Sequence, residues 1–91
     1  MTIHLGDTAA QLVDMLVTDQ QFDELYETKL RREIDEDLES VLGLGGLIRK
    51  RGADQFLIRC TTAVANNLVA FLRTQCRLFG GAWVAPSIQI Y

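Results

Sequence analysis

Ala53-Asp54-Gln55-Phe56-Leu57-Ile58-Arg59-Cys60-Thr61-Thr62-Ala63-Val64-Ala65-Asn66-Asn67-Leu68-Val69-Ala70-Phe71-Leu72-Arg73-Thr74-Gln75-Cys76-Arg77-Leu78-Phe79 runs without glycine or proline up to the Gly80-Gly81 pair. At about 100° per residue, Leu57, Cys60, Val64, Leu68, Phe71 and Leu72 fall on one broad apolar face. Arg59, Asn66, Arg73 and Arg77 fall on the other side, within about 40° of one another. The spacing predicts one long helix over 53–79, apolar over most of its circumference and marked by a narrow basic stripe. Such a helix is usually central in its fold.

Upstream, Thr18 and Gln21 have capping-box spacing, in which hydroxyl and amide satisfy each other's backbone donors at a helix start. From there Phe22, Leu25, Tyr26, Leu30, Ile34, Leu38, Val41 and Leu42 recur in steps of three and four, which predicts a helix over 18–42. Its other face carries Glu27 with Arg31, Lys29 with Glu33 and Arg32 with Glu36, each pair worth a few tenths of a kcal/mol. Gly43 stands where a left-handed C-cap is expected. A further capping-box pattern, Thr8 with Gln11, and apolar residues at 9, 12, 13, 16 and 17 predict a first helix over 8–17. Ile3 and Leu5 alternate with polar neighbours as a short strand would. The tail over 82–91 reads as extended, with Ile88 and Ile90 alternating with Gln89, and Pro86 confines any strand there to an edge or to the residues after it. Such a strand would pair with the N-terminal strand or with another protomer. The fold expected from these readings is all-α: a three-helix arrangement with a long, largely apolar C-terminal helix and short extended termini, in one domain over 1–91.

The chain has 91 residues, 48% of them hydrophobic. A chain this short buries only about 60–65% of its unfolded surface, so surplus apolar surface is expected to be covered by another copy or a partner. A net charge of −3 hides an asymmetry: residues 1–42 hold eleven acids and three bases, residues 43–91 one acid and six bases. The sequence pI near 4.9 argues against generic nucleic-acid binding, whose affinity is mainly cationic. Cys60 and Cys76, sixteen residues apart on the expected helix, would sit roughly 24 Å apart, too far to bond. Free thiols then suit a reducing compartment, and the N-terminus has neither the basic nor the apolar segment of a signal peptide, so a cytoplasmic location is expected. The uncharged stretch from Cys60 to Leu72 is too short and too polar to span a membrane.

Residues that carry chemistry are few. His4 is the only histidine and has no companion ligand set, so neither metal nor cofactor is expected. Gly43-Leu44-Gly45-Gly46 before Arg49-Lys50-Arg51 lacks the Lys-Ser/Thr ending of a phosphate loop and reads as an interhelical turn. Cys76, close to Arg73 and Arg77, is the thiol to test if the chain is an enzyme with a site shared across a dimer. Asp35, Glu36, Asp37 and Glu39 fan around the outer surface of their helix, as a solvated face or as an acidic docking face for a basic partner. For Arg59, Asn66, Arg73 and Arg77, the alternatives are contact with carboxylates of the preceding acidic helix, an anion or nucleic-acid surface shared with Arg49, Lys50 and Arg51, or an acidic protein partner. No aromatic residues interleave with these cations as a base-stacking platform requires. The expected function is a non-enzymatic protein–protein interaction module (a small adaptor, assembly factor or inhibitor) acting as a homodimer, with no small-molecule substrate. Anion or nucleic-acid binding is the second reading; it predicts polyanion retention that weakens with salt and vanishes when residues 49–51 become alanine.

Overall fold

The computed structural model of the protein describes residues 11–26, 30–43 and 45–90. In order these form β1 (Leu12–Thr18), α1 (Asp19–Tyr26), α2 (Leu30–Leu42), β2 (Leu47–Lys50), β3 (Gln55–Thr61), α3 (Thr62–Phe79) and β4 (Ser87–Ile90). The fold is mixed α/β, a four-stranded sheet with helices, and not the all-α arrangement that the helical spacing predicts. All three expected helices change: 12–17 lies in β1, the run over 18–42 gives two helices, α1 and α2, with 27–29 outside the described residues, and the run over 53–79 divides into β3 and α3 at Thr61.

The first of these differences comes from residues that are apolar on both sides of a strand. The residues buried in β1 are Val13, Met15 and Val17, a strict period of two, while Leu12 and Leu16 lie on the opposite side. Apolar residues on both faces imitate the helical steps 12, 13, 16 and 17. In β3, Ile58 and Cys60 are buried while Leu57 and Arg59 are half-buried. The Leu57–Cys60–Val64 spacing of an apparent helical face therefore joins residues from two sides of a strand to a true helix. Aromatic and β-branched residues, Phe56 and Ile58, favour the pleated state here.

All strand pairs are antiparallel, in the order β2-β3-β1-β4. Since β1 and β2 both run antiparallel to β3, they are parallel to each other with β3 between them. The β-α-β-β-α-β connectivity, with two helices in the first crossover, is the split β-α-β or ferredoxin-like topology. One face of the sheet packs on the helices: Val13, Met15, Val17, Ile58 and Cys60 share a core with Leu25, Leu30, Ile34, Leu38, Ala65, Leu68 and Leu72.

The capping and ion-pair signals that lie in the described residues are met. The Thr18 hydroxyl accepts from Gln21 N at 3.1 Å, and Gln21 Oε1 accepts from Thr18 N at 3.0 Å, which closes the capping box and starts α1. Gly43 (φ 70°) and Gly80 (φ 72°) occupy the left-handed region after α2 and α3, a conformation glycine adopts without steric cost. The Arg32–Glu36 pair forms at 3.2 Å. Partners Glu27 and Lys29, together with Ile3, His4, Leu5 and Thr8, lie outside the described residues. The tail pairs with β1, so the partner strand is one that the helical spacing hides.

Thr61 is the junction the sequence spacing does not show. Its hydroxyl accepts from Val64 N at 3.4 Å and so caps α3. Asp37 on α2 fixes that residue twice, accepting from Thr61 N at 2.6 Å and from the Thr61 hydroxyl at 2.9 Å. Of the four carboxylates expected to form an acidic docking face, Asp37 is therefore an internal tie.

Candidate interaction surface

Strand pairing places side chains in rows across the sheet. On the face away from the helices, one row reads Leu47, Arg59, Asp14, Gln89 and the next Arg49, Leu57, Leu16, Ser87. At the centre Arg59 grips Asp14 with two bonds, Nε to Oδ1 at 2.7 Å and Nη2 to Oδ2 at 3.0 Å, with each side chain about one-fifth exposed. Arg59 is thus paired with Asp14 of β1.

This geometry separates the residues expected to make one basic surface. Arg59 and Arg49 lie on the open sheet face. Lys50, opposite Phe56, points to the helix side, where its ammonium stands 5.4 Å from the Phe56 ring centre. Phe56 in turn stacks on Phe22 of α1 at 3.8 Å. Arg51 is in the β2–β3 turn, its N–H bonded to the Gln55 carbonyl at 2.7 Å. Asn66, Arg73 and Arg77 do stay together, lining a shallow hollow of about 350 Å³ on α3 with Val69, Ala70 and Thr74. Because α3 covers the helix side of the sheet, the expected stripe is split between opposite sides of the molecule.

The acidic residues divide likewise. Glu36 is exposed and paired with Arg32, Glu39 is exposed, and Asp35 is half-buried against Gly46. A Cβ at Gly46 would overlap the Asp35 carboxylate, which makes that glycine a close-approach position. Among the described residues, no three His, Cys, Asp or Glu side chains converge on a cation-sized point.

Both cysteines are free. Burial pushes the Cys60 thiol up to about 12, with the Asp37 and Asp14 charges adding to the shift. Cys76 is half-exposed, and its thiol donates to the Gly81 carbonyl at 3.0 Å. It borders a cleft of about 400 Å³ walled by Gln20, Gln21, Glu24, Gln75 and Trp83. In native protein a thiol reagent at neutral pH is expected to modify Cys76 alone, and both thiols only after unfolding. Since the folded Cys60 stays neutral up to about pH 12 while the unfolded thiol ionises near its ordinary value of 9.0, stability is expected to fall between pH 9 and 12. A Cys60→Ala variant should lose that part of the alkaline slope in urea titrations; an unchanged slope would contradict the assignment.

The two sheet edges differ in a way the sequence does not advertise. Edge strand β2 carries Arg49 and Lys50, the charged residues that natural edges use against unwanted pairing. Edge strand β4, Ser87-Ile88-Gln89-Ile90, carries no charge, and its isoleucines are 42% and 69% exposed. As an edge among the described strands, it presents one side of its backbone ladder for pairing.

No family model, curated protein or solved structure matches this chain. The topology is shared by proteins of many functions, so the surface itself must carry the functional reading. No helix among the described residues is long and apolar enough to cross a membrane.

Proposed function

We propose that the chain is a non-enzymatic protein–protein interaction module, an adaptor, assembly factor or inhibitor, that meets its partner by strand addition at β4. The observation that carries this reading is the uncharged, apolar edge of β4, outermost among the described strands, on a sheet whose other edge is guarded by Arg49 and Lys50. Strand addition takes affinity from main-chain hydrogen bonds and specificity from alternate side chains. Ile88 and Ile90 supply those side chains on one face and Gln89 on the other. Two free thiols, one of them half-exposed, support a cytoplasmic location.

The second reading, anion or nucleic-acid binding, is left with separate cations in place of one surface, and only the Asn66–Arg73–Arg77 hollow keeps its grouping. A photo-crosslinking residue in place of Gln89, compared with one in place of Arg77, separates the two in the native host. Protein adducts formed from position 89 and not from 77 are the expected result. Adducts confined to position 77, or made with nucleic acid, would overturn the reading.

A further inference from the structure

We infer that the strand added to β4 is β4 of a second copy, related by a two-fold axis through Gln89, so that two four-stranded sheets join into one of eight strands. The inference rests on the strand-addition reading and names its partner.

A contact between two copies of one strand sets every side chain against its own kind, so any charge in the strand meets a like charge. Pairing β2 with itself would gather four cations, two Arg49 and two Lys50, along a four-residue ladder, and like charges opposed across strands destabilise it. Ser87-Ile88-Gln89-Ile90 has no such conflict. Centring the antiparallel pair on Gln89 sets Ile88 opposite the partner's Ile90 and Ile90 opposite the partner's Ile88. Four isoleucines then cover one another on the helix side. On the open side the two Gln89 amides meet, each able to donate to and accept from the other.

Both faces of the enlarged sheet remain consistent with this register. The helix side already places Ile88 across from Met15 and Ile90 across from Val13, both core residues, so the new isoleucine cluster extends the existing core. On the open side Gln89 lies across from Asp14. The two Asp14 carboxylates would stand three strand spacings apart, about 14 Å. That exceeds the Debye length of about 8 Å at physiological salt, and Arg59 neutralises each of them. A pairing of β4 with β2 of the next copy would instead leave a free edge at both ends and would grow without closing. Four residues per strand form a small interface, below the ~1,600 Å² of a standard one, so association in the micromolar range is expected.

Sedimentation velocity of the full chain from about 5 to 500 μM is expected to show the mass rising from one chain to two and no further. Ile90→Lys, at a largely exposed position, should hold the protein monomeric over the whole range with its circular dichroism unchanged. As a measurement that does not depend on that variant, Gln89→Cys in a Cys76→Ser background should give a disulfide-linked dimer on treatment with diamide. Species larger than dimers, a dimer that Ile90→Lys leaves intact, or a Gln89→Cys protein that stays monomeric and does not cross-link would each overturn the inference. A monomer that still captures a different protein from position 89 would overturn it while leaving the strand-addition reading in place. An absence of any adduct at position 89 would remove both.

Discussion

Ile58→Ala is expected to destabilise the protein by about 3–4 kcal/mol, and its neighbour Leu57→Ala by only about 1 kcal/mol. Ile58 is wholly buried at the middle of β3, flanked by Met15 of β1 and Ile48 of β2. Truncating it removes three carbons from a core that cannot easily collapse, held as it is between paired strands. Leu57 is half-buried on the open face, opposite Leu16, where the vacated space is partly filled by water. The contrast is diagnostic because one helix over 53–79 would put Leu57 in the core and leave Ile58 off its apolar face. Urea titrations of the two variants measure it directly. Equal losses, or a larger loss at Leu57, would refute the strand. For a domain of this size each kcal/mol corresponds to roughly 4–8 °C in melting temperature, so Ile58→Ala should also melt at least ten degrees lower.

The second large effect is expected at Asp37. Asp37→Ala should lower stability by about 2–4 kcal/mol, a large part of the roughly 5–13 kcal/mol that a chain of this length possesses. The substitution removes two hydrogen bonds to a charged acceptor and strands the N–H of Thr61, a residue only 3% exposed. It also frees the junction at which β3 becomes α3. Thr61→Ala should cost a similar amount, since it loses the bond to Asp37 and the cap on Val64 together. Thr61→Ser, which keeps the hydroxyl, should cost much less. Because the two residues share a bond, the Asp37→Ala, Thr61→Ala double variant should lose clearly less than the sum. Strict additivity, or a loss under about 0.5 kcal/mol for Asp37→Ala alone, would show that Asp37 is the solvated surface acid its sequence neighbours suggest.

Asp37 also marks where sequence reasoning about the surface stops. Asp35, Glu36, Asp37 and Glu39 look alike in a charge run, yet one ties two elements, one pairs along its own helix and one lies against a glycine. Arg59 belongs by angle to a stripe with Arg73 and Arg77, but that angle assumes a helix. In a strand its side chain points away from the helices and meets Asp14, forty-five residues earlier. The uncharged sequence of β4 is visible at a glance. That it is an edge among the described strands, and that the opposite edge is charged, follows only from strand order.

Contacts within a few residues were legible from the sequence alone. The Thr18–Gln21 capping box, the Arg32–Glu36 pair, the stops at Gly43 and Gly80, and the core face of Leu25, Leu30, Ile34 and Leu38 all depend on local spacing, and the structure has them. Neither β1 nor β3 could be read this way. A strand buried on one face and apolar on both offers no clean alternation, and its stability comes from residues distant in sequence. Val13 beside Cys60, Met15 beside Ile58 and Ile88 beside Met15 are what make those segments extended. An isolated strand has no hydrogen-bonded partner, so its tertiary neighbours decide whether it exists. The uncharged edge at β4, to which the proposed function is tied, is a property of that assembled sheet.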